Sequence, residues 1–209
     1  MVESESSPEW NYPETSLTLF GKLHEAQTGV DDAAWARFVD LYGPVLYHLV
    51  HLLSPWMQDA DVDDAVQDVF VKLVAVLRNG LYDAQKAKFR TYLSTLMRHM
   101  LVDRYRAEKA RGAGRYVDVA EVADVLAGGD DPGAMVDAKW GVACRKAAEC
   151  RVLNESALPE RHREIWRLVS DEGMKVKDAA KRLGIPANTA SKTKRRIESI
   201  IAAMQKMYV

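Results

Sequence analysis

The chain has 209 residues, 48% of them hydrophobic, and a formal net charge of -1 at pH 7. This length can bury one core of ordinary size or two small ones. No apolar run approaches the roughly 18 residues that a membrane span needs. The N-terminus, MVESESSPEWNYPE, is acidic and polar where a secretory signal has a basic start and an apolar centre. We therefore expect a globular, cytoplasmic protein without membrane insertion.

The near-neutral total hides a strong segregation of charge. Residues 1–85 hold 4 Lys and Arg against 14 Asp and Glu, whereas residues 86–115 hold 9 against 2. The alternation repeats, with 4 against 8 in residues 116–155 and 12 against 6 in residues 156–209. Two basic blocks separated by an acidic one indicate two anion-binding surfaces on one chain.

Apolar periodicity is helical along most of the chain, which predicts an all-α fold. A first helix is expected from Asp31 or Asp32 to Leu53, with a kink at Pro44. We expect residues 17–111 to form a first small helical domain, preceded by an N-terminal extension of residues 1–16.

A second helix is predicted from about Asp61 to Arg78, with an apolar face of Val62, Val66, Val69, Phe70, Leu73, Val76 and Leu77. The opposite face carries Asp64, Gln67, Asp68 and Val71. The helix dipole accounts for acids in the first turn, but it leaves Asp68 and the exposed Val71 unexplained, which favours a protein contact. A calcium-binding loop starting at Asp59 is excluded, because Asp64 occupies the position that requires glycine and Phe70 the position that requires the final glutamate.

A third helix, predicted from about Lys88 to Arg111, mixes aromatic and basic residues. Phe89, Leu93, Leu96, Met97 and Met100 form its core stripe, and its other side carries Thr91, Tyr92, Thr95, Arg98, His99 and Arg106. Such a surface suits unpaired bases, which stack on aromatic rings while cations hold the backbone. The alternative is that Tyr92 covers a core edge and that His99 is an ordinary surface histidine.

Residues 112–155 are predicted to be a linker, because GAG at 112–114 and GGDDPG at 128–133 interrupt a weak pattern. Cys144 and Cys150 lie six residues apart, on different faces of any helix. With no histidine cluster nearby, they form neither a disulfide framework nor a zinc site, and we expect two packed thiols. No metal and no other cofactor is expected anywhere in the chain.

Residues 156–209 are expected to form a second domain with a helix-turn-helix. Val176, Ala179, Ala180 and Leu183 share one face of a short helix, Gly184 makes the turn, Ile185 is a hinge residue, and Pro186 fits the next helix start. The next helix has an apolar inner face of Ala190, Thr193, Ile197, Ile200 and Ile201. Its outer side carries polar and basic residues that suit DNA reading, namely Asn188, Thr189, Ser191, Lys192, Lys194, Arg195 and Arg196. The alternative is a solvated basic face.

Four segments in this order resemble regions 2 and 4 of a bacterial sigma factor of the extracytoplasmic-function (ECF) group, in the sigma-70 family. They are DDAVQDVFVKL at 63–73, FRTYLSTLMRHMLVDRYR at 89–106, LPERHREIWRL at 158–168 and the helix-turn-helix. The resemblance implies two small helical domains joined by a flexible linker. It also implies binding to core RNA polymerase, promoter selection and help in melting the DNA at transcription initiation.

The resemblance implies a role for each surface. Asp64, Gln67, Asp68 and Val71 would dock on the β′ clamp helices of the polymerase, and the β subunit would be a further partner. Melted DNA of the minus-ten element would contact Tyr82, Lys86, Lys88, Arg90, Tyr92, Thr95, Arg98, His99 and Arg106, with residues 81–88 near a flipped base. The minus-35 element would be read by the outer side of the last helix. Family members are often held by an anti-sigma factor, while others are regulated through extensions or phosphorylation.

This sequence also departs from the family pattern. Tyr92 stands where the family often has tryptophan, and His99 where it often has asparagine. The last helix, ANTASKTKRRIE, differs from the commonest sequence of this helix in the family. The promoter sequence that other members recognise therefore cannot be assigned to this chain. The linker is long and acidic, and residues 1–16 match nothing in the family.

Two other classes of function compete with a sigma factor. A one-component helix-turn-helix regulator that does not bind core polymerase would need a ligand pocket or a dimer helix where this chain has its linker. A metal-dependent nuclease would need the carboxylates between Asp59 and Asp68 to converge on a cation, whereas their spacing spreads them around a helix. No Ser/His/Asp or Cys/His constellation is evident, so we expect no enzyme.

Overall fold

The structure is a computed structural model that describes residues 32–79, 81–83, 86, 89–110, 132–155 and 158–208. Its helices are α1 Asp32–Leu53, α2 Asp59–Arg78, α3 Phe89–Ala110, α4 Pro132–Glu155, α5 Glu160–Trp166, α6 Val176–Arg182 and α7 Ala187–Gln205. A π-helical turn, Arg167–Asp171, follows α5, and a 3-10 turn, Lys206–Tyr208, follows α7. No strand occurs in these ranges, and the all-α prediction is confirmed. The N-terminal extension and residues 112–131 of the predicted linker lie outside the described residues.

The chain divides into two compact units, with the boundary between Lys146 and Ala147. In the unit that precedes this boundary, α1, α2 and α3 begin and end within two residues of the predicted positions. Helix α1 runs through Pro44, although proline has no N–H to donate to the carbonyl one turn earlier.

An aromatic cluster forms the centre of this first unit. Phe38 is fully buried, stacks on Tyr42 at a centroid distance of 4.6 Å, and meets Phe70 of α2 and Phe89 of α3 edge-on at 6.1 and 5.7 Å. Burying one such side chain stabilises the fold by about 1.5–3 kcal/mol. The cluster therefore holds the three helices together and fixes which faces of α2 and α3 remain exposed.

Helix α4 corrects the prediction that all of residues 112–155 form a tether, because Pro132–Glu155 are helical. Its buried residues follow helical spacing, being Trp140, Ala143, Cys144, Ala147, Ala148 and Val152. Alanine and cysteine are small side chains whose hydropathy differs little from that of their polar neighbours. The helical apolar pattern of this segment therefore looks weak in the sequence. Before the unit boundary, Trp140 lies against Tyr42 at 6.3 Å, and Lys139 Nζ donates to the Leu52 carbonyl at 3.2 Å. After the boundary, Trp166 Nε1 donates to Glu149 Oε1 at 2.5 Å.

The second unit contains the predicted helix-turn-helix. Ile165 of α5, Ala180 of α6 and Ala190 of α7 form its buried cluster. Gly184 has φ +64°, and the N–H groups of Gly184 and Ile185 donate to the carbonyls of Lys181 and Ala180 at 3.2 and 3.0 Å. This pattern is a Schellman motif, in which a left-handed glycine ends the helix and turns the chain. The motif sets the direction in which α7 leaves α6.

Candidate functional site

Helix α2 presents an acidic face formed by Asp64, Gln67, Asp68 and Val71. All four side chains are exposed, and Val71 is 68% exposed, while Val62, Val69 and Leu73 on the other side are buried. The four residues share one face because they are spaced three and four positions apart along the helix. An exposed apolar side chain beside two carboxylates is a feature of a surface that contacts another macromolecule.

Arg104 of α3 reaches across to α2. Its guanidinium lies 3.5 Å from a carboxylate oxygen of Asp61 and 3.9 Å from one of Asp68. Asp68 therefore has a partner inside its own domain, while Asp64 and Gln67 point to the same exposed surface. Sequence reasoning missed Arg104, because residues 36 positions apart give no local signal of contact.

The basic helix α3 carries most of the predicted single-strand surface. Thr95, His99 and Arg106 are exposed, and Arg90, Tyr92 and Arg98 are partly buried. Thr95 Oγ1 donates to the Thr91 carbonyl at 2.8 Å, and Arg106 lies 3.9 Å from Asp103. Lys86, before the helix, pairs with Asp83 at 3.4 Å, and Lys88 lies outside the described residues.

Tyr82, which the resemblance assigns to melted minus-ten DNA, is buried, with only 5% of its surface exposed. Its ring meets Phe89 at 5.9 Å and Tyr92 at 5.3 Å, both edge-on. Burial, and secondarily the nearby Asp83 carboxylate, raise the pKa of Tyr82. Tyr82 thus buttresses the half-exposed Tyr92, whose ring covers a core edge and also keeps part of its surface in solvent.

Arg90 faces a neighbour that the sequence did not predict. Burial raises the pKa of the Cys144 thiol in α4 to about 12, and the positive charge of Arg90 opposes this shift. Arg90 therefore lies near α4, in the same unit. Cys144 is buried as expected, but Cys150 is exposed, so the prediction of two packed thiols is wrong for Cys150, which lies on another face of α4.

In the second unit, α7 shows the predicted two-sided pattern. Ala190, Thr193, Ile197 and Ile201 are buried. The other side is exposed at Asn188, Thr189, Lys192, Arg195 and Arg196. Ser191 is half-buried and its Oγ donates to the Ala187 carbonyl at 2.9 Å. Lys192 and Arg195 are exposed, and neither carries an ion pair with another residue that the structure describes.

Lys194 differs from these cations. Its Nζ lies 2.6 Å from Glu198 Oε1, one helical turn later. Lys194 was expected among the DNA-contacting residues without this pair, although a spacing of four residues between opposite charges on a helix is itself a signal for it.

An ion-pair network connects α5, the π-helical turn and α6. Arg167 donates to Glu164 at 2.6 and 3.0 Å and lies 2.9 Å from Glu172, and Arg182 lies 3.5 Å from Glu172. The hydrogen bond from Arg167 lowers the pKa of Glu164. Although each exposed pair contributes little alone, the network ties the end of α6 to the preceding segment and so supports the position of α7.

In the ranges that the structure describes, no three His, Cys, Asp or Glu side chains are grouped to hold a metal ion. Within the same ranges, no helix combines the length and the apolarity that crossing a membrane requires.

Comparison with known protein families identifies a domain in the first unit. Residues 38–111 match the family model for Sigma-70 region 2. The matched range begins inside α1, contains the whole of α2 and α3, and therefore includes both the acidic face and the basic helix. It ends before α4 and leaves the helix-turn-helix outside. No curated protein sequence matches the chain.

Proposed function

We propose that this chain, which belongs to the sigma-70 family through the region 2 domain of residues 38–111, binds core RNA polymerase, directs it to specific promoters and assists DNA melting. The domain gives the protein a role in transcription initiation, and the all-α fold is consistent with it. The sigma-70 family is not a family of enzymes, and we infer no catalytic activity here. Assignment to the ECF group rests on the resemblance of the four sequence segments.

The observation that carries the proposal is the acidic face inside the matched range. Val71 is 68% exposed next to two exposed carboxylates, on a helix whose opposite side is largely buried. Such a face fits a partner that offers cations around an apolar contact. We assign it to the β′ clamp helices of the polymerase. The β subunit and an anti-sigma factor are further partners that family membership suggests.

Helix α3 supports the second part of the proposal, contact with melted minus-ten DNA. Tyr92 offers part of a ring that Tyr82 braces at 5.3 Å, and Arg98 and His99 lie within two turns of it. A fixed aromatic ring beside cations binds an unpaired base by stacking while the cations hold phosphates. Because this surface and the acidic face belong to one compact unit, polymerase binding and strand capture are assigned to the same domain.

Helix α7 supports the third part, reading of the minus-35 duplex. The Schellman turn at Gly184 gives the helix-turn-helix geometry, and the exposed Asn188, Lys192 and Arg195 share one face. Amide and guanidinium groups at such positions form the hydrogen bonds that distinguish bases in the major groove.

Binding to purified core polymerase tests the proposal against the rival class, a one-component helix-turn-helix regulator. The full-length chain, labelled with a fluorophore at its N-terminus, is titrated with core enzyme and followed by anisotropy. We expect saturable binding that unlabelled chain displaces and that Val71→Glu weakens. The matched control, Val142→Glu, changes another exposed valine, on α4, and is expected to retain binding. No binding to core enzyme would favour the regulator class.

A further inference from the structure

Helix α4 presents an exposed valine beside two cations. Val142 is 47% exposed, and Arg145 and Lys146, three and four residues later, are exposed as well. At this spacing the three side chains share one face, opposite the side on which Trp140 and Cys144 are buried. The face is a small apolar contact with positive charge at one end.

This α4 face is the chemical complement of the acidic face of α2. On α2, Val71 is 68% exposed, and Asp68 and Gln67 lie three and four residues before it. We assign the acidic face to a partner that offers cations around an apolar contact, and α4 offers such a surface within the same chain. Both faces belong to the compact unit that ends at Lys146, and both are exposed, so neither covers the other within one molecule.

Antiparallel docking of the two helices brings the opposite charges together. The polar residues precede the valine on α2 but follow it on α4, so both sets lie at the same end when the valines meet in an antiparallel pair. At about 100° and 1.5 Å per residue, Lys146 then lies opposite Asp68. On the other flank Arg145 lies opposite Gln67, whose side-chain carbonyl can accept a hydrogen bond from a guanidinium. Because packed helices cross at an angle, the contact is confined to about two turns of each helix.

The two charges at the centre of this arrangement are available for a partner. Asp68 lies 3.9 Å from Arg104, a long contact, and its side chain is 66% exposed. Lys146 is exposed and carries no ion pair with another residue that the structure describes. A complementary charge can therefore approach either group without first displacing a close partner.

Building on the assignment of the acidic face to core polymerase, we propose that a second copy of this chain competes for that face. The α4 face of one molecule docks on the α2 face of another and covers the surface that polymerase needs. The contact is small, so the association is weak and reversible, and polymerase binding dissociates it by mass action. Chain in excess over core enzyme is thereby held in a form that cannot dock.

Sedimentation equilibrium of the full-length chain without DNA tests this inference through the weight-average mass. A reducing agent is included, because Cys150 is exposed. We expect the monomer mass at about 1 µM and a mass at least about 1.5 times larger at about 300 µM, the range of weak contacts. Asp68→Lys and Lys146→Glu should each lower the association constant at least about tenfold, because like charges then face each other. An equimolar mixture of the two variants should recover the wild-type association constant, since the two reversed charges attract each other.

The controls reverse one charge each on α6, where Asp178→Lys and Lys177→Glu change exposed side chains. They match the first two variants in net charge and leave both faces intact, so each alone should self-associate as wild type does. Val142→Glu separates the two partners of the acidic face. It should abolish self-association and retain binding of core polymerase, whereas Asp68→Lys should weaken both.

The inference is overturned if the wild-type chain stays monomeric at about 300 µM. Equal losses in the α6 controls would trace the effect to net charge, and a mixture that stays monomeric would exclude the pairing of Asp68 with Lys146. Self-association of Val142→Glu at the wild-type level would also overturn it, while leaving polymerase docking untouched. If Asp68→Lys abolishes self-association but binds core polymerase as wild type does, the contact between copies stands and the assignment of this face to polymerase fails.

Discussion

The carboxylate of Asp68 lies 3.9 Å from the guanidinium of Arg104, so the acidic face of α2 is electrostatically linked to the basic helix α3. Asp61 shares the same guanidinium at 3.5 Å. Both carboxylates are at least half exposed, so each pair contributes at most about 1 kcal/mol to the fold. Their charges are therefore available for a partner at little structural cost.

The first prediction concerns this acidic face. Asp64→Lys combined with Asp68→Lys should weaken binding of core polymerase at least tenfold, because both charges are reversed on the proposed contact surface. The fold should persist, since both side chains point away from the core. Competition with labelled wild-type chain for core enzyme measures the effect, and circular dichroism checks the fold.

Its control reverses two exposed acids elsewhere, Asp171→Lys with Asp178→Lys in the second unit. This double variant has the same net charge and should compete as wild type does. Unchanged competition by a folded Asp64→Lys, Asp68→Lys variant would remove the assignment of this face to the β′ subunit.

The second prediction concerns Tyr92 as a stacking platform. Tyr92→Ala should impair promoter opening more than formation of the closed complex, because one base–aromatic stack contributes about 1–3 kcal/mol. Permanganate reactivity of thymines in the opened bubble measures the effect. Tyr92→Phe keeps the ring and its edge contact with Tyr82 and should open promoters nearly as wild type. If Tyr92→Ala gives the wild-type permanganate footprint, the Tyr92 ring has only a packing role and does not stack on a base.

The third prediction separates base reading from phosphate holding on α7. Arg195→Ala should cost about 1–3 kcal/mol at the preferred minus-35 sequence and blunt discrimination at one or two positions. Arg196→Ala should weaken all sequences alike and lower the salt slope by about one unit. Both are measured in the holoenzyme with duplexes that vary in the minus-35 element. Identical losses without any change in sequence preference would make this face a nonspecific basic patch.

The fourth prediction tests the turn that directs α7. Gly184→Ala should reduce the free energy of unfolding of the second unit by about 1–2 kcal/mol, because alanine resists φ +64°. The cost is one of conformation alone, since a Cβ at this position would meet no atom within 4 Å. Gly184→Asn should cost less, because asparagine tolerates the left-handed region. Urea unfolding followed by circular dichroism measures both.

Gly141 supplies the opposite case within a helix. It lies inside α4, where a Cβ would meet no atom of another element within 4 Å. Gly141→Ala should therefore raise the free energy of unfolding by about 0.5–1 kcal/mol, because alanine loses less backbone entropy on folding. Loss of stability in Gly141→Ala, or none in Gly184→Ala, would contradict the backbone argument.

The extent to which sequence predicted the structure varies with the range of the interactions. The stripe from Phe38 to Leu53 and the Gly184 turn depend on local periodicity and on one backbone conformation, and both were foreseen. Helix α4 was missed because its packed face consists largely of alanine and cysteine, which differ little from a polar background. A search for residues spaced by three and four, starting at Trp140, would have found it.

The site shows the same division between local and distant contacts. The exposed faces of α2 and α7 follow from helical spacing, whereas the reach of Arg104 to Asp61 depends on how two helices pack. Tyr82 was placed among the minus-ten contacts by the family resemblance, and its burial depends on packing against Phe89 and Tyr92. The pair of Lys194 and Glu198 was within reach of the sequence, since residues four apart on a helix are neighbours.

The central claim is that this chain gives core polymerase the ability to start at specific promoters. The direct measurement is transcription from sheared genomic DNA of the encoding organism, with purified core enzyme, followed by sequencing of transcript 5′ ends. With the chain present, we predict 5′ ends clustered downstream of a shared pair of sequence elements, and loss of these clusters with Asp64→Lys, Asp68→Lys. Scattered 5′ ends identical to those of core enzyme alone would contradict the account.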